Sequence, residues 1–166
     1  VAHHPLISHV LGTDAAELIS APISAPIVEE LAKALGVILI FVFLRGEFHS
    51  VRDGIVYGAL VGVGFNWYEA ALYVAKSYAE FGVAPFGFEL GGRYALLGLG
   101  GHVIFTGMFG GFLGYSLVER RWALRIAAPI VGLMLACGAH MLNNALPLLF
   151  TLAEDLTQME LQVDVD

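Results

Sequence analysis

The sequence predicts an all-α protein, a polytopic transmembrane helix bundle with about four spanning helices, and three observations carry that reading. Of its 166 residues 58% are apolar and 14% charged, for a mean hydropathy of +0.77. A window of about 20 apolar residues crosses a bilayer as a helix, and four such windows follow one another at 26–44, 54–75, 94–118 and 126–150. None alternates polar and apolar side chains with period two, which argues against a β-barrel.

Residues 1–25 lack the basic start, apolar core and small-residue cleavage site of a signal peptide. They read as an outward-facing loop or amphipathic segment, in which His3, His4 and His9 are loop residues. The opening without Met suggests a fragment with further helices upstream. The bundle is taken as one unit over 26–150, followed by an acidic C-terminal tail at 151–166. Within that tail Glu154 to Asp166 hold five acids and no base. Cys137, the single cysteine, lies in the fourth window and is expected to pack, so neither a disulfide framework nor a thiolate metal site is available. The net charge is −7, and no nucleic acid is expected as a partner.

Basic residues set the expected orientation. Arg45 and Arg52 flank the first turn, and Arg120, Arg121 and Arg125 crowd the turn between the third and fourth windows. The positive-inside rule places both turns, 45–53 and 119–125, in the cytoplasm. The 76–93 loop and both ends of the chain then face outward. That loop carries Tyr78, Phe81, Phe86 and Phe88, aromatic rings suited to the headgroup interface or to a lid.

Ionisable side chains inside membrane spans are costly and point to function. Glu29 and Glu30 lie in the first window, Glu69 in the second, His102 in the third and His140 in the fourth. At about 1.5 Å of rise per residue, the alternating directions of the helices bring all of them into one outward-facing layer. Lys33 stands four residues after one acid and three after the other, within reach of both. One carboxylate is then neutralised as an ion pair while its neighbour is held for chemistry. His102 pairs with Thr106, and His140 with Asn144, at i and i+4. Asn144 is placed to orient the imidazole or donate to an oxyanion, although for either histidine taken by itself interhelical hydrogen bonding is the commoner role. Glycines at 58, 62 and 64, and at 107, 110, 111 and 114, include GxxxG spacings that let helices approach closely.

The ordered set Glu29-Glu30-x-x-Lys33, Phe65-x-x-x-Glu69, His102 and His140-x-x-x-Asn144 resembles the PrsW family of intramembrane proteases. That family is related to the CAAX-prenyl-protease and bacteriocin-processing membrane proteases. The CAAX relatives place histidine where this chain has Glu69. Ala70 departs from the asparagine that commonly follows in PrsW-like sequences. The resemblance implies hydrolysis of a peptide bond in a membrane-embedded or membrane-proximal protein, such as an anti-sigma-factor-like single-pass substrate. It implies Glu29 or Glu30 as general base, Glu69 and His102 holding water or a metal, His140 completing the site and Asn144 at the oxyanion. Lys33, Phe65 and Thr106 would support them. Two mechanisms stay open: zinc held by Glu69, His102 and His140, or a metal-free route in which a glutamate deprotonates a water pinned by histidine. A proton or divalent-cation transporter and a non-catalytic scaffold of the same fold are the competing functional readings.

Overall fold

The computed structural model describes residues 20–87 and 101–163, and among these it holds four α-helices and no strand. A π-helical turn over Ser20–Ser24 leads into α1, Ala25–Phe43; α2 is Val51–Phe81, α3 His102–Val118 and α4 Trp122–Val163. The chain divides into two compact units. One comprises residues 1–26 with 141–166, and its described parts are the π turn and the C-terminal half of α4. The other comprises residues 27–140 and holds α1, α2, α3 and the first half of α4.

Local chemistry sets the helix ends. Ser50 caps α2, its Oγ accepting from the Asp53 amide at 3.2 Å, while the Asp53 carboxylate accepts from the Ser50 hydroxyl at 2.9 Å and the His49 amide at 3.0 Å. This reciprocal pairing satisfies donors that a helix start leaves orphaned. At the far end Gly82 adopts φ 69° and returns its amide to the Tyr78 carbonyl, a left-handed cap that glycine adopts without steric cost. The α3–α4 turn is closed by Arg121, whose guanidinium forks onto Glu119 with both bonds at 3.1 Å and holds that carboxyl well below the usual carboxylate range. Tyr115 donates to the same carboxylate, and Arg125 Nε donates to the Ser116 carbonyl at 3.1 Å.

Two helices run longer than their apolar windows. The cap at Ser50 starts α2 three residues before position 54, and no breaker intervenes before Gly82. The fourth helix passes position 147 and continues to Val163, so the acidic stretch begins as helix. Tyr78 and Phe81 consequently sit on α2, both well exposed. Phe88 and Arg93 lie outside the described residues, as do the start of the third window and His3, His4 and His9.

In the 27–140 unit, α2 carries a buried stripe of period four, Gly54, Gly58, Gly62, Asn66, Ala70 and Val74, and its three glycines lie against α3. A Cβ at Gly62 would stand 2.5 Å from the His102 carbonyl oxygen, and one at Gly58 would collide with the Thr106 carbonyl. Backbones this close exclude any side chain from the seam. Elsewhere α1, α3 and α4 pack through side chains: Ala34 and Val37 meet Phe105, Phe109, Leu113 and Ala136, with Phe48 from the first turn. Polarity is inverted relative to a water-soluble fold. Val28, Leu31, Leu35, Ile130 and Met134 are exposed, while Glu30, Lys33, His102 and His140 are 1–6% exposed. An apolar exterior of this extent requires a covering. Among the described residues one helical segment, Trp122–Leu146 with mean hydropathy 1.7, is long and apolar enough by itself to cross a membrane.

Candidate active site

Three helices and the middle of a fourth bring their ionisable groups together inside the 27–140 unit. From α1, Glu30 and Lys33 stand one turn apart on the buried face, with Glu29 beside them and partly exposed. Lys33 Nζ donates to Glu30 Oε1 at 2.6 Å and lies 3.7 Å from Glu29 Oε2. The same Glu30 oxygen accepts from His140 Nδ1 at 2.9 Å. An ammonium has no lone pair, so at its second contact, 2.6 Å from His102 Nδ1, the imidazole must be the acceptor. The proton of neutral His102 is then on Nε2, which donates to Glu69 Oε2 at 2.7 Å. The partners thus fix both tautomers: His102 carries hydrogen on Nε2 and His140 on Nδ1.

Aromatic rings hold the bases in place. Phe65 meets His102 edge-on with centroids 4.9 Å apart and receives Lys33 Nζ over its face at 4.1 Å. Phe105 stacks on His140 at 5.1 Å, and the two imidazoles stand edge to face at 4.7 Å. Gathering three carboxylates, Glu30 buried and Glu29 and Glu69 partly so, around an ammonium and two imidazoles is tolerable because nearly every polar atom is paired. Glu29 Oε2 is the exception in the cluster: it is buried, lacks a hydrogen-bond partner, and faces His140 Nε2 at 3.8 Å.

The structure brings together Glu29, Glu30, Lys33, Phe65, Glu69, His102 and His140 from the residues singled out in the sequence. Thr106 is fully buried one turn below His102, but its hydroxyl has no hydrogen-bond partner among the described residues. Asn144 lies one turn beyond His140 on α4, in the other unit, and its side-chain oxygen accepts from Asn143 Nδ2 at 3.4 Å. Phe105, stacked on His140, escaped the sequence reading, and so did Asn66, 2% exposed on α2 with its amide nitrogen unpartnered. The period-four glycine stripe that ends in Asn66 was the signal available for it.

The three groups whose ligand atoms lie within 4.8 Å of one another are Glu29, His102 and His140. The sequence places Glu69 in that set; here Glu69 engages His102 Nε2, and Glu29 stands in its place. One carboxylate and two imidazoles match zinc in kind, and Glu29 Oε2, ion-paired with Lys33 at 3.7 Å but without a hydrogen bond, supplies a donor atom. The residues therefore fit a zinc ion, with a carboxylate on the outer nitrogen of His102 as in many zinc sites.

Such a bundle, apolar outside and lined with acids and imidazoles within, defines a membrane protein with a buried cluster of ionisable groups. The chain matches the family model of PrsW family intramembrane metalloproteases over residues 2–163. It belongs to that family. Protease PrsW of Geobacillus kaustophilus (strain HTA426) is 32% identical over 118 residues, which cover 69% of this chain and 47% of the relative. The chain thus spans about half the length of that curated relative. No solved structure shows significant similarity to the chain.

Proposed function

We propose that the cluster hydrolyses a peptide bond in a membrane-embedded or membrane-proximal segment of a protein substrate, and that Glu29 is the general base. The observation that carries this reading is the asymmetry of the two adjacent acids. Glu30 spends an oxygen on Lys33 and His140, whereas Glu29 Oε2 is buried without a hydrogen bond, 3.8 Å from His140 Nε2. A water about 2.8 Å from both atoms would sit off the line joining them and donate one hydrogen to each. Glu29 then takes a proton as the water attacks the carbonyl carbon and returns it to the departing amine.

The surrounding residues position that base. Glu30 holds His140 by Nδ1, which leaves the Nε2 lone pair toward the water, and Glu69 holds His102 by Nε2. On its spacing from His140 alone, Asn144 is assigned the developing oxyanion. Where zinc is used instead, Glu29, His102 and His140 are the residues that would hold it, and the Nε2 lone pair of His140 is then spent on the ion and not on the water. When bound, zinc supplies Lewis acidity and lowers the pKa of a water toward neutrality. A carboxylate has two oxygens, so Glu29 can accept a proton on one while the other serves as a ligand. An anti-sigma-factor-like single-pass protein is the substrate class we assign.

The test compares Glu29→Gln with Glu30→Gln in a cleavage assay on detergent-purified protein with single-pass substrates. Glu29→Gln is expected to lose roughly 10²–10⁴-fold in rate while keeping its thermal midpoint. Glu30→Gln is expected to lose both cleavage and stability. Wild-type cleavage by Glu29→Gln would refute the assignment.

A further inference from the structure

A lysine with its side chain 1% exposed is the oddest member of the cluster. Every group around Lys33 Nζ is a receptor for a cation: Glu30 Oε1 at 2.6 Å, the His102 Nδ1 lone pair at 2.6 Å, Glu29 Oε2 at 3.7 Å and the Phe65 ring face at 4.1 Å. The tautomer matters here. With Nε2–H committed to Glu69, Nδ1 is the one lone pair His102 has to give, and the ammonium already uses it. The charges also leave room for more positive charge, because Glu29, Glu30 and Glu69 gather around this single ammonium and two imidazoles that can be neutral.

We infer that Lys33 is a built-in placeholder cation: a divalent ion of the zinc class binds by exchange, taking His102 Nδ1 from the ammonium, which stays paired with Glu30. This rests on the reading that Glu29, His102 and His140 hold an ion. It adds that the chain stores its own competitor for that ion. The ammonium keeps the imidazole oriented and the acids apart before loading, and its displacement weakens the measured metal affinity. Lys33 is thereby a positioning residue, hydrogen-bonded to Glu30 and 3.7 Å from the Glu29 oxygen proposed as the base.

The experiment is a zinc titration of the whole protein in detergent against a chromophoric chelator, with cobalt(II) absorption as the coordination readout. Lys33→Met, His102→Ala and His140→Ala are compared with wild type. Lys33→Met should bind zinc about tenfold tighter or more, the scale of one charge-assisted hydrogen bond, and both histidine variants should bind far more weakly. Since Lys33→Met leaves Glu30 short of a partner and can unfold, a second measurement uses the wild type. This chain has two lysines, Lys33 and Lys76, so ¹⁵Nζ labelling gives two signals. Zinc should move the Lys33 signal together with His102 Nδ1 and leave Lys76 unmoved. Unchanged affinity in a folded Lys33→Met, or an unmoved Lys33 signal while zinc binds and the histidine variants lose it, overturns the exchange but leaves the ion site standing. Zinc bound by none of the proteins removes both. Cleavage by metal-stripped protein then reports separately on the hydrolase.

Discussion

At the residue scale, the two adjacent glutamates are divided by what they touch. The i+3 and i+4 spacing of Lys33 was enough to put both acids within its reach, at 2.6 Å and 3.7 Å, and to expect one of them to take the closer ion pair. It could not say which, because that depends on which side of α1 faces His140. The structure turns Glu30 inward, 1% exposed, and leaves Glu29 at the rim with its side chain 23% exposed. A second limit of the same kind concerns Glu69. Its depth in the bundle was legible, but its rotamer was not, and that rotamer puts it on His102 Nε2 instead of among the three converging ligand atoms. The Glu30–Lys33 pair makes a stability prediction. Removing one partner of a buried ion pair strands the other charge, at a cost of about 3–5 kcal/mol. Glu30→Gln and Lys33→Met should each be destabilised on that scale, and the double variant by clearly less than their sum. Denaturation of the three variants in one detergent measures the coupling, and strict additivity would mean that the two charges do not support each other.

The glycine pattern shows, at the scale of elements, how two helices can position a site without side-chain packing. Within a membrane, apolar side chains gain little by leaving lipid for protein, so close backbone contact must supply the attraction. The seam between α2 and α3 is built this way, and it ends at His102, whose carbonyl oxygen would lie 2.5 Å from a Cβ at Gly62. GxxxG spacing made the close approach legible in sequence. The partner of each glycine was not, since register between helices follows from three-dimensional fit. Helix ends were less legible still: apolar windows stop where hydropathy falls, whereas α2 stops where Gly82 turns left-handed and α4 continues into the acidic stretch as far as Val163. A pair of variants tests the seam. Gly62→Ala must push α3 away or distort it, costing roughly 1–3 kcal/mol and dragging His102 from its partners. At Gly64, exposed two residues further on, a Cβ meets nothing within 4 Å, so Gly64→Ala should gain the helix propensity of alanine, about 1 kcal/mol. The thermal midpoint and the cleavage rate should both fall for Gly62→Ala, whereas Gly64→Ala should raise the midpoint and leave the rate unchanged. Equal behaviour would show that the seam tolerates a methyl group.

At the scale of the whole molecule, the inverted polarity of the 27–140 unit and the asymmetry of its basic residues make one physical demand. Exposed leucine, isoleucine and valine on α1, α2 and α4 want hydrocarbon around them, and the arginines of the turns want the cytoplasmic side of it. If α1, α2 and α3 each cross the bilayer, as the four apolar windows anticipate, residues 45–53 and 119–125 share one side and the 76–93 loop takes the other. The Glu29–His140 layer then lies in the outer half of the membrane, near substrate segments that emerge there. Length and composition single out only one of these crossings among the described residues, because α3 runs over 17 residues and Glu29, Glu30 and Lys33 all fall on α1. Cys137 is the single cysteine, so a Cys137→Ala background accepts reporters one at a time. Cysteines at Gly46, Arg120 and Val83, all exposed, probe the three connections. In intact cells a membrane-impermeant maleimide is expected to label the position 83 reporter, and to reach positions 46 and 120 only after the membrane is permeabilised. Labelling of position 46 or 120 from outside would reverse the orientation and move the acid and histidine layer to the cytoplasmic half. Equal access at 46 and 83 would mean that α2 does not cross at all, and a bilayer-embedded centre would then have to be built on a different set of spans.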